Sequence, residues 1–369
     1  MKILLGLHEK IEEWTESLEA SSDRPRLPLR FCLSSGFIKR GHSISAISFS
    51  SNPGNRFFHR VYGKCQIPEA LRDTDSALLW AWDAIGVLCG QYSFFYASRR
   101  VILCSYVWFP KKAPLRVRLL GLATRVAARR ARAVVLMPSA HCLEARRALP
   151  ASIPVIQFLP GVDLDFYRAP SDISDVPEKY RKLAQTLTRG PYVIMHGDQQ
   201  RLNQDAVRFV GQSGIPLVRV CQGTDPEILK DLRGRIRKKG LQDRMFIFEK
   251  ASYRFMRFLI QHAAAYAGMV DSTWQPAGWH TTLEAMACGI PVALYEGLVS
   301  DELKKLGAGE SFLKVVPHRD TRAFQKSVES LVSGDRRLFR PALTFFTDSH
   351  FDLQRSAERF AERVEALCA

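Results

Sequence analysis

The stretch Gly278-Trp279-His280-Thr281-Thr282-Leu283-Glu284-Ala285-Met286-Ala287-Cys288-Gly289-Ile290-Pro291-Val292-Ala293 decides how this chain is read. A polar turn leads into a short run of good helix formers, Gly289 stops it, and an apolar strand follows. A helix start presents unpaired backbone N–H groups and the positive end of the helix dipole, so a phosphate is favoured there. Glu284 falls within the first turns of that helix, where a carboxylate can accept hydrogen bonds from sugar or ribose hydroxyls. A purely structural strand–helix unit has little need of Gly278, His280, Thr281, Thr282 and Glu284 at one helix entrance.

On either side, short apolar runs alternate with helical patterns. In the second half, 192–197, 217–221, 245–248, 265–270, 292–295 and 313–316 read as strands. In the first half, 1–7, 43–49, 101–106, 133–137 and 155–159 do, with helices over 27–39, 76–96 and 115–131. Such alternation predicts parallel sheets with helices on both faces and ligands bound beyond the strand carboxyl ends. Residues 168–178, with Pro170, Pro177, two serines and two aspartates, read as a linker. A chain of 369 residues with 46% hydrophobic content can bury two cores. The expected division is therefore 1–168, 169–348, and a final amphipathic helix over 349–369 returning to the first domain. A cleft between two such domains is a favoured place for a small molecule.

The chain carries a net charge of +16, unevenly spread. Residues 1–168 hold 24 Lys and Arg against 13 Asp and Glu, and Glu144 is the only acid between 99 and 147. Lys111, Lys112, Arg116, Arg118, Arg125, Arg129, Arg130 and Arg132 interleave there with Leu115, Leu119, Leu122 and Val126. A basic helix of this kind suits an anionic membrane surface, or is an ordinary solvated face beside a core stripe. Nucleic acid is disfavoured, because no recognition module accompanies the charge. No uncharged apolar run is long enough to span a bilayer, and 1–7 is too short for a signal peptide. The eight cysteines show neither Cys-x-x-Cys nor zinc spacing, which suits reduced thiols in the cytoplasm and predicts no metal site.

The wording Glu284-Ala-Met-Ala-Cys-Gly-x-Pro-Val292 resembles the C-terminal signature of retaining GT-B glycosyltransferases of the family 4 type. Gly41-His42 before a strand, Arg132 to Ser139, Leu159-Pro160-Gly161-Val162-Asp163 and Met269-Val270-Asp271-Ser272 are similar to further motifs of that family. The resemblance implies an α/β chain of GT-B type, two Rossmann-like doubly wound domains facing an interdomain cleft. It implies a nucleotide-sugar donor (UDP-, GDP- or dTDP-sugar), a saccharide, lipid-linked or natural-product acceptor, and no cofactor. Glu284 then resembles the ribose binder, Gly278, Trp279, His280, Thr281 and Thr282 line the diphosphate entrance, and Lys250 falls where the nucleobase is held.

The chain departs from the family in two places. The family's first carboxylate of E-x7-E is Pro276 here, which leaves Gln275 or His280 for the sugar contact. The family's Arg and Lys for the diphosphate are Asp198 and Asn203, with Arg201 the nearest surviving cation. Cations or N–H donors at a leaving group supply much of the transition-state stabilisation in such a transfer. The catalytic candidates are accordingly His196, at a strand end, and Arg201. A non-catalytic GT-B-like binding or regulatory partner of a transferase is the alternative. Asp73/Asp75 and Asp163/Asp165 each spell D-x-D, but the second pair also reads as a turn and helix start. His8, Ser105 and Tyr106 are weaker site candidates, and Cys288 reads as a small apolar filler.

Overall fold

A computed structural model of the chain describes residues 1–7, 36–48, 74–80, 101–105, 108, 115–196, 203–221, 226–249 and 251–368. The chain divides into two compact units, Met1–Pro160 with Leu353–Ala369, and Gly161–Asp352.

The first unit is built on a parallel sheet. Its strands are β1 (Lys2–Leu7), β2 (Ser43–Ser48), β3 (Ser76–Trp80), β4 (Val101–Ser105), β5 (Ala133–Leu136) and β6 (Val155–Gln157). Their order across the sheet is β2-β1-β3-β4-β5-β6. Every residue of β4 and β5 is buried, as expected of parallel strands covered on both faces. Helices α1 (Leu115–Ala128) and α2 (Ser139–Ala148) follow β4 and β5. Residues 76–80 correct the expected helix over 76–96: Ala77, Leu78 and Leu79 are buried in a strand between β1 and β4. A short continuous apolar run carries no period that separates a buried strand from a buried helix. The rest of that expected helix lies outside the described residues.

The last helix, α12 in the numbering used below, spans Leu353–Cys368 and starts four residues later than expected. Its Phe360, Ala361 and Val364 close a core with Ile3, Phe37, Ile102 and Val135. On its outer side Glu365 accepts from Arg40 at 2.6 Å and lies 2.5 Å from His42. Those partners hold the Glu365 carboxyl down at about 2.

In the second unit, α3 (Leu164–Arg168) and α4 (Glu178–Leu187) precede β7 (Val193–His196). Then come α5 (Asn203–Ser213), β8 (Leu217–Cys221), α6 (Pro226–Lys238), β9 (Met245–Glu249), α7 (Tyr253–His262) and β10 (Ala265–Gly268). The unit continues with α8 (Trp279–Ala287), β11 (Val292–Tyr295), α9 (Leu298–Lys305), β12 (Leu313–Val316), α10 (Thr321–Ser333) and α11 (Arg336–His350). The parallel sheet runs β12-β11-β10-β7-β8-β9, the doubly wound order. Helices α5, α6 and α10 share a core with alternate residues of β7 and β10 and with Leu217 of β8. Asp163, Ser252 and Asp320 cap α3, α7 and α10, each accepting from a backbone N–H of the first turn. Such caps contribute about 1 kcal/mol each.

The stretch 168–178 is no free linker. It contains a 3-10 turn at Ile173–Asp175 and is tied to α7. Gln261 accepts from the Ser171 hydroxyl at 2.7 Å, and Arg257 donates to Phe166 O at 3.0 Å and to Asp175 at 3.1 Å. Proline and aspartate content signals turns, but not whether tertiary partners pin them. Among the described residues no helix is long and apolar enough to cross a membrane.

Candidate functional site

The second sheet reverses its winding between β7 and β10, which are neighbours although three strands apart in order. Ligands of doubly wound sheets bind outside the strand carboxyl ends at such a switch. His196 is the last residue of β7 and Gly268 the last of β10. From β10 the chain passes Ser272 and enters α8 through Gly278. Gly278 has φ +83°, a left-handed conformation that costs a side-chain-bearing residue about 1–2 kcal/mol. Gly297 is needed for space: a Cβ there would lie 2.2 Å from Ser272 Oγ, and Leu298 N–H donates to Ser272 O at 2.9 Å.

One relay ties α8 to β10. Tyr266 OH and Thr281 Oγ1 are 2.7 Å apart, and Thr281 Oγ1 donates to Gly278 O at 3.0 Å. Tyr266 OH also lies 3.5 Å from His196 O, so two hydroxyl hydrogens are shared among the Tyr266–Thr281 contact and the carbonyls of His196 and Gly278. Gly278 O also accepts from Thr282 N–H at 3.0 Å. The first turn of α8 is therefore fixed in orientation by a strand residue. One turn further on, Glu284 is fully buried, and its Oε2 lies 3.9 Å from Nδ1 of His196, itself 4% exposed. A carboxylate removed from water is costly unless it finds donors, so a buried acid beside a strand-end histidine marks a place where polar chemistry is concentrated. The Cys288 thiol, one helical turn beyond, is pushed well above its usual range by burial and secondly by the Glu284 charge. That thiol donates to Tyr167 O at 3.5 Å.

His196, Gly278, Thr281 and Glu284 thus come together at the switch, with Thr282 buried and His280 part-exposed on the same helix. Trp279 is a packing residue of the helix entrance. It is buried edge-on against Phe351 at 5.6 Å and anchors α8 to the end of α11. Arg201, Lys250, His8, Asp73 and Tyr106 lie outside the described residues. Ser105 is buried at the end of β4 in the first unit. Asp163 Oδ1 accepts from Phe166 N–H at 2.9 Å as the α3 cap. Among the described residues no three His, Cys, Asp or Glu side chains gather as a metal site.

Two residues of this region were not singled out by the sequence. Tyr266, in β10, supplies the relay just described. Arg219 is almost fully buried in β8, paired in register with Met195 beside His196, its Nε 3.4 Å from Cys221 Sγ. An arginine inside Leu217-Val218-Arg219-Val220-Cys221 was a visible signal, since a strand buried on both faces seldom carries a charge.

No family model matches the chain, and no curated protein matches it. Solved structures do. HepE of Anabaena in complex with UDP and glucose superposes with a TM-score of 0.73 at 12% identity, covering 99% of this chain and 100% of that one. Sucrose-phosphate synthase from Thermosynechococcus elongatus gives 0.73 at 13% identity, over 100% and 99%. The α,α-trehalose 6-phosphate synthase from Burkholderia multivorans gives 0.69 at 10% identity, over 100% and 99%. At such identities the likeness establishes the fold, which is that of the GT-B glycosyltransferases.

Proposed function

We propose that this chain is a retaining glycosyltransferase of the family 4 type that moves a sugar from a nucleoside diphosphate to a saccharide, lipid-linked or natural-product acceptor. The observation that carries the reading is the buried Glu284 beside His196 at the winding switch of the second sheet. In this assignment Glu284 accepts from the ribose hydroxyls, and the 278–282 entrance receives the diphosphate on backbone N–H groups. His280 stands near the donor sugar in place of the carboxylate replaced by Pro276. His196 faces the reacting centre, Arg201 is the cation for the leaving phosphate, and Lys250 lies at the nucleobase. A retaining transfer of this type needs no protein nucleophile, because the leaving phosphate itself takes the acceptor's proton. The reading is metal-independent and uses no cofactor. The structural neighbours include HepE of Anabaena in complex with UDP-glucose and an E. coli protein bound with UDP-2-fluoro glucose, which supports a UDP-sugar as the first donor to try.

The acceptor assignment rests on α1. Leu119 and Leu122 are each 62% exposed and Val126 45%, so this apolar stripe faces outward. Arg118, Arg125, Arg129 and Arg130 are exposed around it. An amphipathic helix with a bare apolar stripe and flanking cations suits an anionic leaflet. We assign the protein to the cytoplasm, peripheral on the inner membrane face, with a lipid-linked acceptor favoured.

The test is a thermal-shift panel of UDP-, GDP- and dTDP-sugars, followed by assay of nucleotide release. A ligand at a hundred times its Kd stabilises by about 2.7 kcal/mol, which a melting curve resolves. Binding with nucleotide release supports the transferase. Pro276 and Asn203 at the positions of a family carboxylate and cation favour a second reading, a non-catalytic GT-B-like partner of a transferase. That reading expects binding of a sugar nucleotide, or none, with no turnover.

A further inference from the structure

On one face of the second sheet, α5 and α6 are neighbours, and a cavity of about 990 Å³ opens between them. Five cations line it: Arg208 from α5, Arg235, Lys238 and Lys239 from α6 and its end, and Arg244 from the turn into β9. Asp231 is the one acid in the lining, and it accepts from Arg235 Nε at 2.7 Å. Among the described residues Arg208, Lys238, Lys239 and Arg244 form no ion pair. The carboxyl end of α6 by itself favours cations. Arg208, however, sits in the middle of α5, and Arg244 reaches across from beyond α6. Its Nη1 lies 3.9 Å from where a Cβ on Gly214, just past the end of α5, would stand.

The floor of the groove carries two helical glycines, Gly211 in α5 and Gly234 in α6. Glycine inside a helix is destabilising relative to alanine. Neither residue has a positive φ, and a Cβ on either would meet nothing within 4 Å. Backbone conformation and packing therefore leave both glycines unexplained. Their effect is to deepen a groove whose walls repel one another through like charge. Both oddities are relieved by one thing, an anion seated in the groove.

We propose that the α5–α6 groove binds a small soluble polyanion carrying two or more phosphate groups. The cavity is of small-molecule size. From Gln204 to Gln212 it runs about 12 Å, at 1.5 Å per helical residue, too short a track for a nucleic-acid duplex. Val207 and Leu241 are the only large apolar residues in its lining, so it lacks the apolar face that a membrane surface requires. The groove is independent of the transferase reading, since its residues lie along the helices and none belongs to the Glu284 cluster.

The test uses the full chain and inorganic tripolyphosphate as probe, titrated by calorimetry at constant ionic strength with excess UDP present to occupy any nucleotide site. Saturable one-to-one binding is expected. The triple variant Arg208→Gln, Lys238→Gln, Arg244→Gln should lose at least tenfold in affinity. Gly211→Leu with Gly234→Leu fills the groove, keeps every charge, and should lose as much while melting no lower than the parent. Lys238→Gln alone, an exposed change that leaves the fold intact, should lose about threefold. No saturable binding by the parent, or unaltered affinity in the charge variants, would overturn the site. So would a filled variant that binds normally, because the attraction would then be diffuse surface charge. Pelleting with acidic vesicles that depends on these arginines, without tripolyphosphate binding, would overturn it in favour of a membrane surface.

Discussion

Replacing Glu284 with glutamine keeps the side-chain volume and removes one charge, which separates the proposed role of this residue from its packing. Glu284 is fully buried on α8, with His196 Nδ1 at 3.9 Å. If its carboxylate accepts the ribose hydroxyls, the variant replaces an ionised acceptor with a neutral one. A hydrogen bond to a charged group contributes about 1.5–3 kcal/mol. At about 1.4 kcal/mol per decade, affinity for the sugar nucleotide should fall about 10- to 150-fold. The effect on stability has the opposite sign. A buried carboxylate carries a desolvation cost that an amide largely avoids, so the melting temperature should hold or rise. A third readout lies on the same helix: with the Glu284 charge gone, the Cys288 thiol should ionise at lower pH. Calorimetry with the nucleotide sugar that gives the largest thermal shift, together with thermal unfolding, measures the first two. A folded variant with parental affinity refutes the assignment. A loss of affinity matched by an equal loss of stability would make Glu284 a structural residue.

Gly278→Ala forces a side chain into φ +83° and brings its Cβ to 3.4 Å from Val270 Cγ2. Denaturant unfolding should show a loss of about 1–2 kcal/mol, and an unchanged midpoint would contradict the strained helix entrance. His141 is buried in α2 with its Nδ1 accepting from Trp108 N–H at 3.1 Å, and burial lowers its pKa from 6.5 to about 4. Between those values the unfolded chain binds a proton that the native state refuses, so stability should fall by up to about 3 kcal/mol as pH drops from 6.5 to 4. His141→Gln keeps an acceptor and should flatten that window; urea titrations with equal slopes in both proteins would disprove it. The protein should sediment with acidic but not neutral liposomes and be released by salt, as the Debye length falls from about 10 Å at 0.1 M to about 3 Å at 1 M. Replacing Arg125, Arg129 and Arg130 with glutamine should weaken that sedimentation, and equal partitioning to neutral vesicles would remove the membrane claim. Transfer activity should survive EDTA; loss restored by manganese would show a metal requirement.

Local signals in this chain were sufficient for the class of fold. The strands at 217–221, 292–295 and 313–316 read directly, because each is a short, mostly apolar run bounded by turn residues, and their alternation with helices implies parallel sheets. The α8 entrance was also legible, since Gly278 and the helix formers after it are contiguous. Asp163 announced its cap for the same reason, with donor and acceptor three residues apart.

What lay beyond local reach is whatever depends on a partner distant in sequence. Residues 76–80 became a strand because β1 and β4 lie on either side of it, and no period in Ala77-Leu78-Leu79 encodes that. Residues 168–178 look like a linker until Gln261 and Arg257, some eighty to ninety residues later, bind them. Trp279 belongs to the candidate entrance by sequence and to the core by its contact with Phe351. Leu119, Leu122 and Val126 have the spacing of a core stripe and are nonetheless exposed. Sequence alone determined which segments can be helix or strand, since that follows from backbone propensity and side-chain period over a few residues. Only the tertiary structure decided which faces are covered and which side chains meet, as with Tyr266 and Thr281 or His196 and Glu284, because those depend on elements brought together by the winding of the sheet.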